Sequence, residues 1–237
     1  MRSPSSRAPY VPSPIGERDK LTSSHLHAYT YLTQASRDKE QNKSFATRGV
    51  RIASAEYTDV AVLTTALAEA HVVISTISLM ALDAQVPVAQ AAKAAGASLF
   101  LPSEYGGPTD NLEGLLGAKG TLQDKLREVG PPLLLVYTGP FADYSWSQCV
   151  PFMISFPGGL ISFAHRIVNL DVKSGKVAVG GDGNAPISWT ARKDIARFLA
   201  HVLVHSPASR LQNQVLRLEG DRVVRLSPLS RSNSPTN

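Results

Sequence analysis

Between residues 50 and 140 the chain switches repeatedly between short apolar runs and longer stretches with helical spacing. Residues 50–54 form a short β-type run. Asp59 then precedes VAVLTTALAEA, where Val60, Leu63, Leu67 and Ala70 fall on one helical face and Asp59 is placed to cap it. HVVISTI (71–77) reads as a buried strand, and the Ala-rich residues 79–95 predict a helix that Gly96 ends. Residues 98–102 predict the next strand. A helix over 115–129 follows, stopped by Gly130 and Pro131, and then a strand in PLLLVYTGP (132–140), broken by Gly139 and Pro140.

That order, β-α-β-α-β-α-β with short links, is the signature of an α/β fold with a doubly wound parallel sheet. The strands are apolar almost throughout, as burial on both faces requires. Beyond residue 150 the pattern loosens. Residues 167–170, 176–179 and 187–190 predict short strands, 192–205 a helix and 214–218 a last strand.

Composition changes this picture mainly at the ends. The chain has 237 residues, 43% of them hydrophobic, which suffices for one substantial domain or one domain with a smaller lobe. Its net charge of +5 invites a nucleic-acid partner until it is located. Residues 1–51 carry +5 and residues 220–237 carry +2, which leaves the body between them at −2. A basic folded face is therefore not expected, and neither is nucleic-acid binding. Residues 1–27, rich in Ser, Pro and Arg, and residues 224–237 read as disordered segments. A single cysteine, Cys149, excludes an internal disulfide and points to a reducing, cytoplasmic location. No apolar run reaches the ~18 residues of a membrane helix. The six histidines show no metal-ligand spacing, and no metal is expected.

The chemistry concentrates in LFLPSEYGG, residues 99–107, and in Lys119 on the helix after it. A strand end in an open α/β sheet is where ligands bind. This one gathers a hydroxyl, a carboxylate and an amine. The usual companion, a G-x-G-x-x-G turn that holds a pyrophosphate at a helix N-terminus, does not occur in the sequence. GGDGNAP (180–186) is followed by the β-type run PISWT and reads as a hairpin turn.

Several ordered stretches carry a family resemblance. RGVRIASAEYTD, HVVISTIS, AAKAAGASLFLPSEYGG, AKGTLQDKLREVGPPLLLVYTGPFADY, GDGNAPISWTARKDIARFLAHVL and VLRLEGDRV together resemble the NmrA-like family. These are atypical short-chain dehydrogenases that include isoflavone and phenylcoumaran benzylic ether reductases. The resemblance implies a Rossmann fold that binds NADP and an oxidoreductase acting on a small organic substrate. It also implies a lysine that helps hydride transfer, which Lys119 matches by position, with Lys125 as the competing choice. No tyrosine has a lysine four residues on, so the Tyr-x-x-x-Lys pair of ordinary short-chain dehydrogenases is absent, in keeping with the atypical branch.

By the same resemblance, Pro102, Ser103 and Glu104 lie on the nicotinamide side, and Thr76, Ile77 and Ser78 line the cofactor groove. Thr138, Gly139 and Phe141 wall the nicotinamide pocket, although Phe141 also reads as plain core. Arg37 either meets the 2′-phosphate of NADP or is a solvated loop residue. Against the family, the chain lacks the first strand, glycine loop and first helix, and keeps a trace of the second strand at about 28–36. The expectation is a chain truncated at both ends, a splice form or a misread gene model. It would hold an incomplete NAD(P)-binding domain over 28–150 and a partial substrate lobe over 151–223. The rival expectations are a non-catalytic, dinucleotide-sensing regulator with a protein partner, or a form unable to bind the cofactor.

Overall fold

In the computed structural model, residues 29–32, 40–143, 170–171, 176–177 and 186–223 are described. The chain falls into two compact units, Met1–Ser54 and Ala55–Asn237. In the first, strand β1 (Tyr29–Leu32) is followed by helix α1 (Glu40–Thr47) and strand β2 (Arg51–Ser54). β1 and β2 pair in parallel, Tyr29 opposite Arg51 and Leu32 opposite Ser54. That is the pairing expected of a remnant second strand beside a third, joined by a helical crossover. The stretches expected to be disordered, together with Arg37, Cys149 and the hairpin at 182–184, lie outside the described residues.

The second unit opens with helix α2 (Val60–Ala66), whose N-terminus is capped as the sequence predicts. The Asp59 carboxylate accepts a hydrogen bond from the Val62 amide at 3.0 Å, and Leu63 and Leu67 bury beneath the helix. Asp59→Ala is expected to cost about 1 kcal/mol, the usual worth of such a cap, read as a shift of the urea midpoint. Strand β3 (Val72–Ile74) follows. The helix predicted over 79–95 is broken in two, a 3-10 segment at Leu79–Ala84 with non-helical Ala81 inside it, then helix α3 (Gln85–Ala94). Pro87 is the physical reason. It has no N–H to donate and would clash with the carbonyl of residue 83 inside a continuous helix. Starting at Gln85 places Pro87 in the first turn, where no N–H is needed.

Strand β4 (Leu99–Leu101), helix α4 (Gly114–Val129) and strand β5 (Leu134–Tyr137) come next, with Gly130 closing α4 in the left-handed region. The later part adds the short antiparallel pair β6 (Leu170–Asp171) and β7 (Lys176–Val177), then strand β8 (Ile187–Trp189) and helix α5 (Arg192–His205). Helix α6 (Ala208–Leu211), strand β9 (Gln214–Arg217) and strand β10 (Asp221–Val223) complete it.

β3 pairs with β4 in parallel, β4 is bridged to β5 at Phe100–Leu133, and β5 pairs with β9 in parallel. The sheet order is therefore β3-β4-β5-β9. Separately, β8 and β10 form an antiparallel pair. Strand β9, from late in the chain, thus extends this parallel sheet beside β5. Leu99, Leu101, Leu134 and Val136 on one sheet face pack with Ile195 and Leu199 of α5 and Leu211 of α6. By alternation Phe100 and Leu135 face the other way, and both are buried too. Gln123 of α4 neighbours Tyr137 on that second face. Burial on both faces explains why these strands are apolar without interruption.

Candidate active site

The parallel strands deliver their carboxyl ends to one edge of the sheet. β3 ends into Thr76, Ile77 and Ser78, β4 into Pro102, Ser103 and Glu104, and β5 into Thr138 and Gly139. Hydrogen bonds continue past the strands and tie these ends together. The Ser75 amide donates to the Leu101 carbonyl at 2.8 Å, and the amides of Thr138 and Gly139 both donate to the Gly106 carbonyl, at 2.9 and 3.1 Å. The buried Thr190 hydroxyl donates to the Thr138 carbonyl at 2.6 Å. Gly139 turns the chain at φ +67, and a Cβ there would sit 2.1 Å from the Ser188 carbonyl oxygen. Any side chain at this position would push the β5 and β8 ends apart.

Thr76 and Ser78 are exposed and Ile77 is half-buried. The Ser78 hydroxyl accepts from the Met80 amide at 3.3 Å, so it caps the 3-10 turn and remains open to solvent. Pro102 is buried, and Phe141 is half-buried against the sheet core while pairing by a backbone bridge with Thr190. The structure therefore supports the core role of Phe141 beside the strand-end position implied by the resemblance.

Lys119 is where the geometry becomes chemical. Tight packing at the start of α4 brings it in: a Cβ on Gly117 would lie 2.0 Å from the Leu112 carbonyl oxygen, and one on Gly120 would lie 3.1 Å from that of Thr109. The Lys119 ammonium donates to the Ser103 carbonyl at 3.0 Å and to the Glu104 carbonyl at 2.5 Å. An ammonium has three N–H groups, so one is left after these two bonds. Desolvation pulls the Lys119 pKa below that of an ordinary lysine, and the Glu104 charge opposes the pull. Lys125, the competing lysine, instead reaches Asp83 at 2.9 Å, with both side chains well exposed. A surface pair of that kind contributes at most about 1 kcal/mol.

Two glutamines completing this arrangement were not singled out from the sequence. Gln85, fully buried at the start of α3, accepts the Ser103 amide N–H at 2.8 Å and so fixes the turn that carries the carbonyls under Lys119. Gln123, one helical turn beyond Lys119, is also fully buried and accepts from Arg127 at 3.1 Å. A glutamine on the apolar stripe of a helix was the available signal. The Glu104 carboxyl is 1% exposed, and burial raises its pKa, while Lys119 and the Gln123 amide lower it. Burial pushes the Tyr105 phenol up to about 12, so it stays protonated at neutral pH. His201 and His205 stack on one another in α5, with their ring centroids 4.2 Å apart.

Comparison with known proteins agrees with this architecture. The model of the NmrA-like family matches residues 23–224. The chain is 31% identical over 163 residues to isoflavone reductase homolog P3 of Arabidopsis thaliana, covering 66% of this chain and 48% of that protein. It is 28% identical over 183 residues to phenylcoumaran benzylic ether reductase PT1 of Pinus taeda, covering 74% and 54%. The chain thus spans about half the length of the curated relatives it matches. Among solved structures, an isoflavone reductase superposes with a TM-score of 0.61 at 18% identity, over 82% of this chain and 62% of the other. The binary complex of leucoanthocyanidin reductase with NADPH from Vitis vinifera superposes with a TM-score of 0.55 at 18% identity, over 80% and 57%. These likenesses establish the Rossmann-like fold. With a family match over most of its length and the strand order to accompany it, the chain belongs to the NmrA-like family.

Proposed function

We propose that this chain carries the nicotinamide side of an NADPH-dependent reductase site for a small aromatic substrate. The observation that carries the reading is Lys119, held at the β4 end by two main-chain carbonyls with one N–H left over. Its relatives support the substrate class by name: isoflavone and phenylcoumaran benzylic ether reductases, and a structural neighbour solved with NADP+ and (+)-pinoresinol.

The residues present fit the reacting end of the dinucleotide. Thr76, Ile77 and Ser78 offer a partly open groove wall, and Ser103, Thr138 and Gly139 stand at neighbouring strand ends. Arg37 is proposed for the 2′-phosphate on the family match alone. With no G-x-G-x-x-G turn in the sequence, fewer amide donors meet the pyrophosphate, and weaker cofactor binding than in a reductase with that loop is expected.

The dinucleotide, when bound, supplies a hydride, and the balancing proton comes from Lys119. The carbonyls of Ser103 and Glu104 keep the ammonium oriented, and its third N–H is free to meet the developing negative charge on the substrate. After giving up that proton the neutral amine still has two N–H groups, one for each carbonyl. The same lysine therefore stays in place through both protonation states and recovers its proton from water.

The test is reduction itself. NADPH deuterated at C4 is incubated with the chain and a panel of isoflavones, phenylcoumarans and lignans, and the products are weighed by mass spectrometry. One deuterium incorporated per product molecule is expected for at least one substrate. Saturable NADPH binding with no transfer to any of them would favour a dinucleotide sensor.

A further inference from the structure

Beneath Lys119 lies a polar pair that the reaction described above does not use. Both carboxyl oxygens of Glu104 and the amide nitrogen of Gln123 are buried, and none of the three has a hydrogen-bond partner. The two side chains are each 1% exposed. One is an acceptor and the other a donor, and they influence one another directly. Their orientation has a cause. Arg127, which can only donate, binds Oε1 of Gln123, so the amide nitrogen is the end left for Glu104. A buried acid and a buried amide left open in this way are costly unless something offsets them.

What offsets the burial of the acid is the charge on Lys119. Lys119 makes no hydrogen bond to the carboxyl; its two bonds go to the main-chain oxygens of Ser103 and of Glu104 itself. We propose that Glu104, with the Gln123 amide beside it, is a positioning residue for Lys119, a buried counter-charge that keeps the ammonium loaded with its proton until the substrate takes it. The surroundings of Glu104 are consistent with that role. Lys119 and Arg127 of α4 face it with positive charge, Asp110 before α4 faces it with negative charge, and Tyr137 of β5 lies close by. Desolvation works against both charges, and each is held up by the other.

This proposal rests on the reading of Lys119 as the proton donor, but its test does not need turnover. The rate at which acetic anhydride acylates Lys119 is followed by peptide mass spectrometry as a function of pH, and the midpoint reports the loss of its proton. Glu104→Gln keeps shape and removes the charge, and its midpoint is expected about 1 pH unit lower than that of the parent chain. Gln123→Leu leaves the acid in place without the neighbouring amide dipole and is expected to shift the midpoint the same way by less. The double variant is expected to match Glu104→Gln alone. Opening of the fold would move the midpoint the other way, toward an ordinary lysine, so the sign separates the two causes. A fall in either variant supports the proposal, and a midpoint unchanged or raised in both overturns it. If the midpoint falls while no substrate is ever reduced, the electrostatic pairing stands and the proposed reductase function fails.

Discussion

Lys119→Arg is expected to lower turnover by about 10²- to 10⁴-fold, the usual contribution of a positioned proton donor, while the fold is kept. Arginine retains the positive charge and enough donors for the Ser103 and Glu104 carbonyls, but its pKa is too high to release a proton to the substrate. Lys119→Met should be equally inactive and also less stable, because two carbonyls near the β4 end then lose their donor. Steady-state rates with the deuterated cofactor, beside urea unfolding curves, separate these two effects. Comparable turnover in Lys119→Arg and the parent chain would remove Lys119 from the chemistry. The pH dependence follows with a definite sign. Only the protonated amine can donate, and burial lowers its pKa, so the rate should fall on the alkaline side at a lower pH than an ordinary lysine would give.

The largest stability effect is expected at Phe100→Ala. Phe100 is fully buried in the middle of β4, on the face opposite Leu99 and Leu101, and its strand has neighbours on both sides. Removing the ring leaves a cavity that a strand held on both edges cannot close, so a loss of about 3–5 kcal/mol is expected. The same change should also loosen the site, because β4 feeds directly into Pro102, Ser103 and Glu104. Met80→Ala serves as the comparison: Met80 is 71% exposed, and the change should stay within about 0.5 kcal/mol of neutral. A Phe100→Ala midpoint close to that of Met80→Ala would mean that β4 is not a central strand.

Much of this fold is legible in the sequence because local and global signals agree. Asp59 before a 3.6-residue apolar stripe, Gly96 and Gly130 after two others, and uninterrupted apolar strands each have one physical reading, and the structure contains each element they predict. The failures have causes of a different range. Helix α1, EQNKSFAT, has no apolar stripe to announce it, and β10 is defined by its pairing with β8. The break in 79–95 has its signal in Pro87, a single residue set in an Ala-rich run that by itself favours one continuous helix.

The site divides in the same way. Lys119 and the strand ends could be placed from spacing and resemblance. The partners of Lys119 could not, because Gln85 reaches Ser103 across 18 residues and Lys119 reaches its carbonyls across 15 and 16. Such contacts follow from how α3 and α4 pack, which periodicity does not encode. Nor does sequence tell a buried Glu104 from an exposed one, since a glutamate at a strand end is ordinarily solvated.

The most direct measurement is protection of Lys119 by the cofactor. The chain is titrated with NADPH, and acylation of Lys119 and Lys125 is followed in the same samples. If the dinucleotide seats its nicotinamide at the β4 and β5 ends, labelling of Lys119 slows saturably, while Lys125, paired on the surface with Asp83, reacts at an unchanged rate. Equal labelling of Lys119 with and without NADPH, up to millimolar cofactor, would contradict the account.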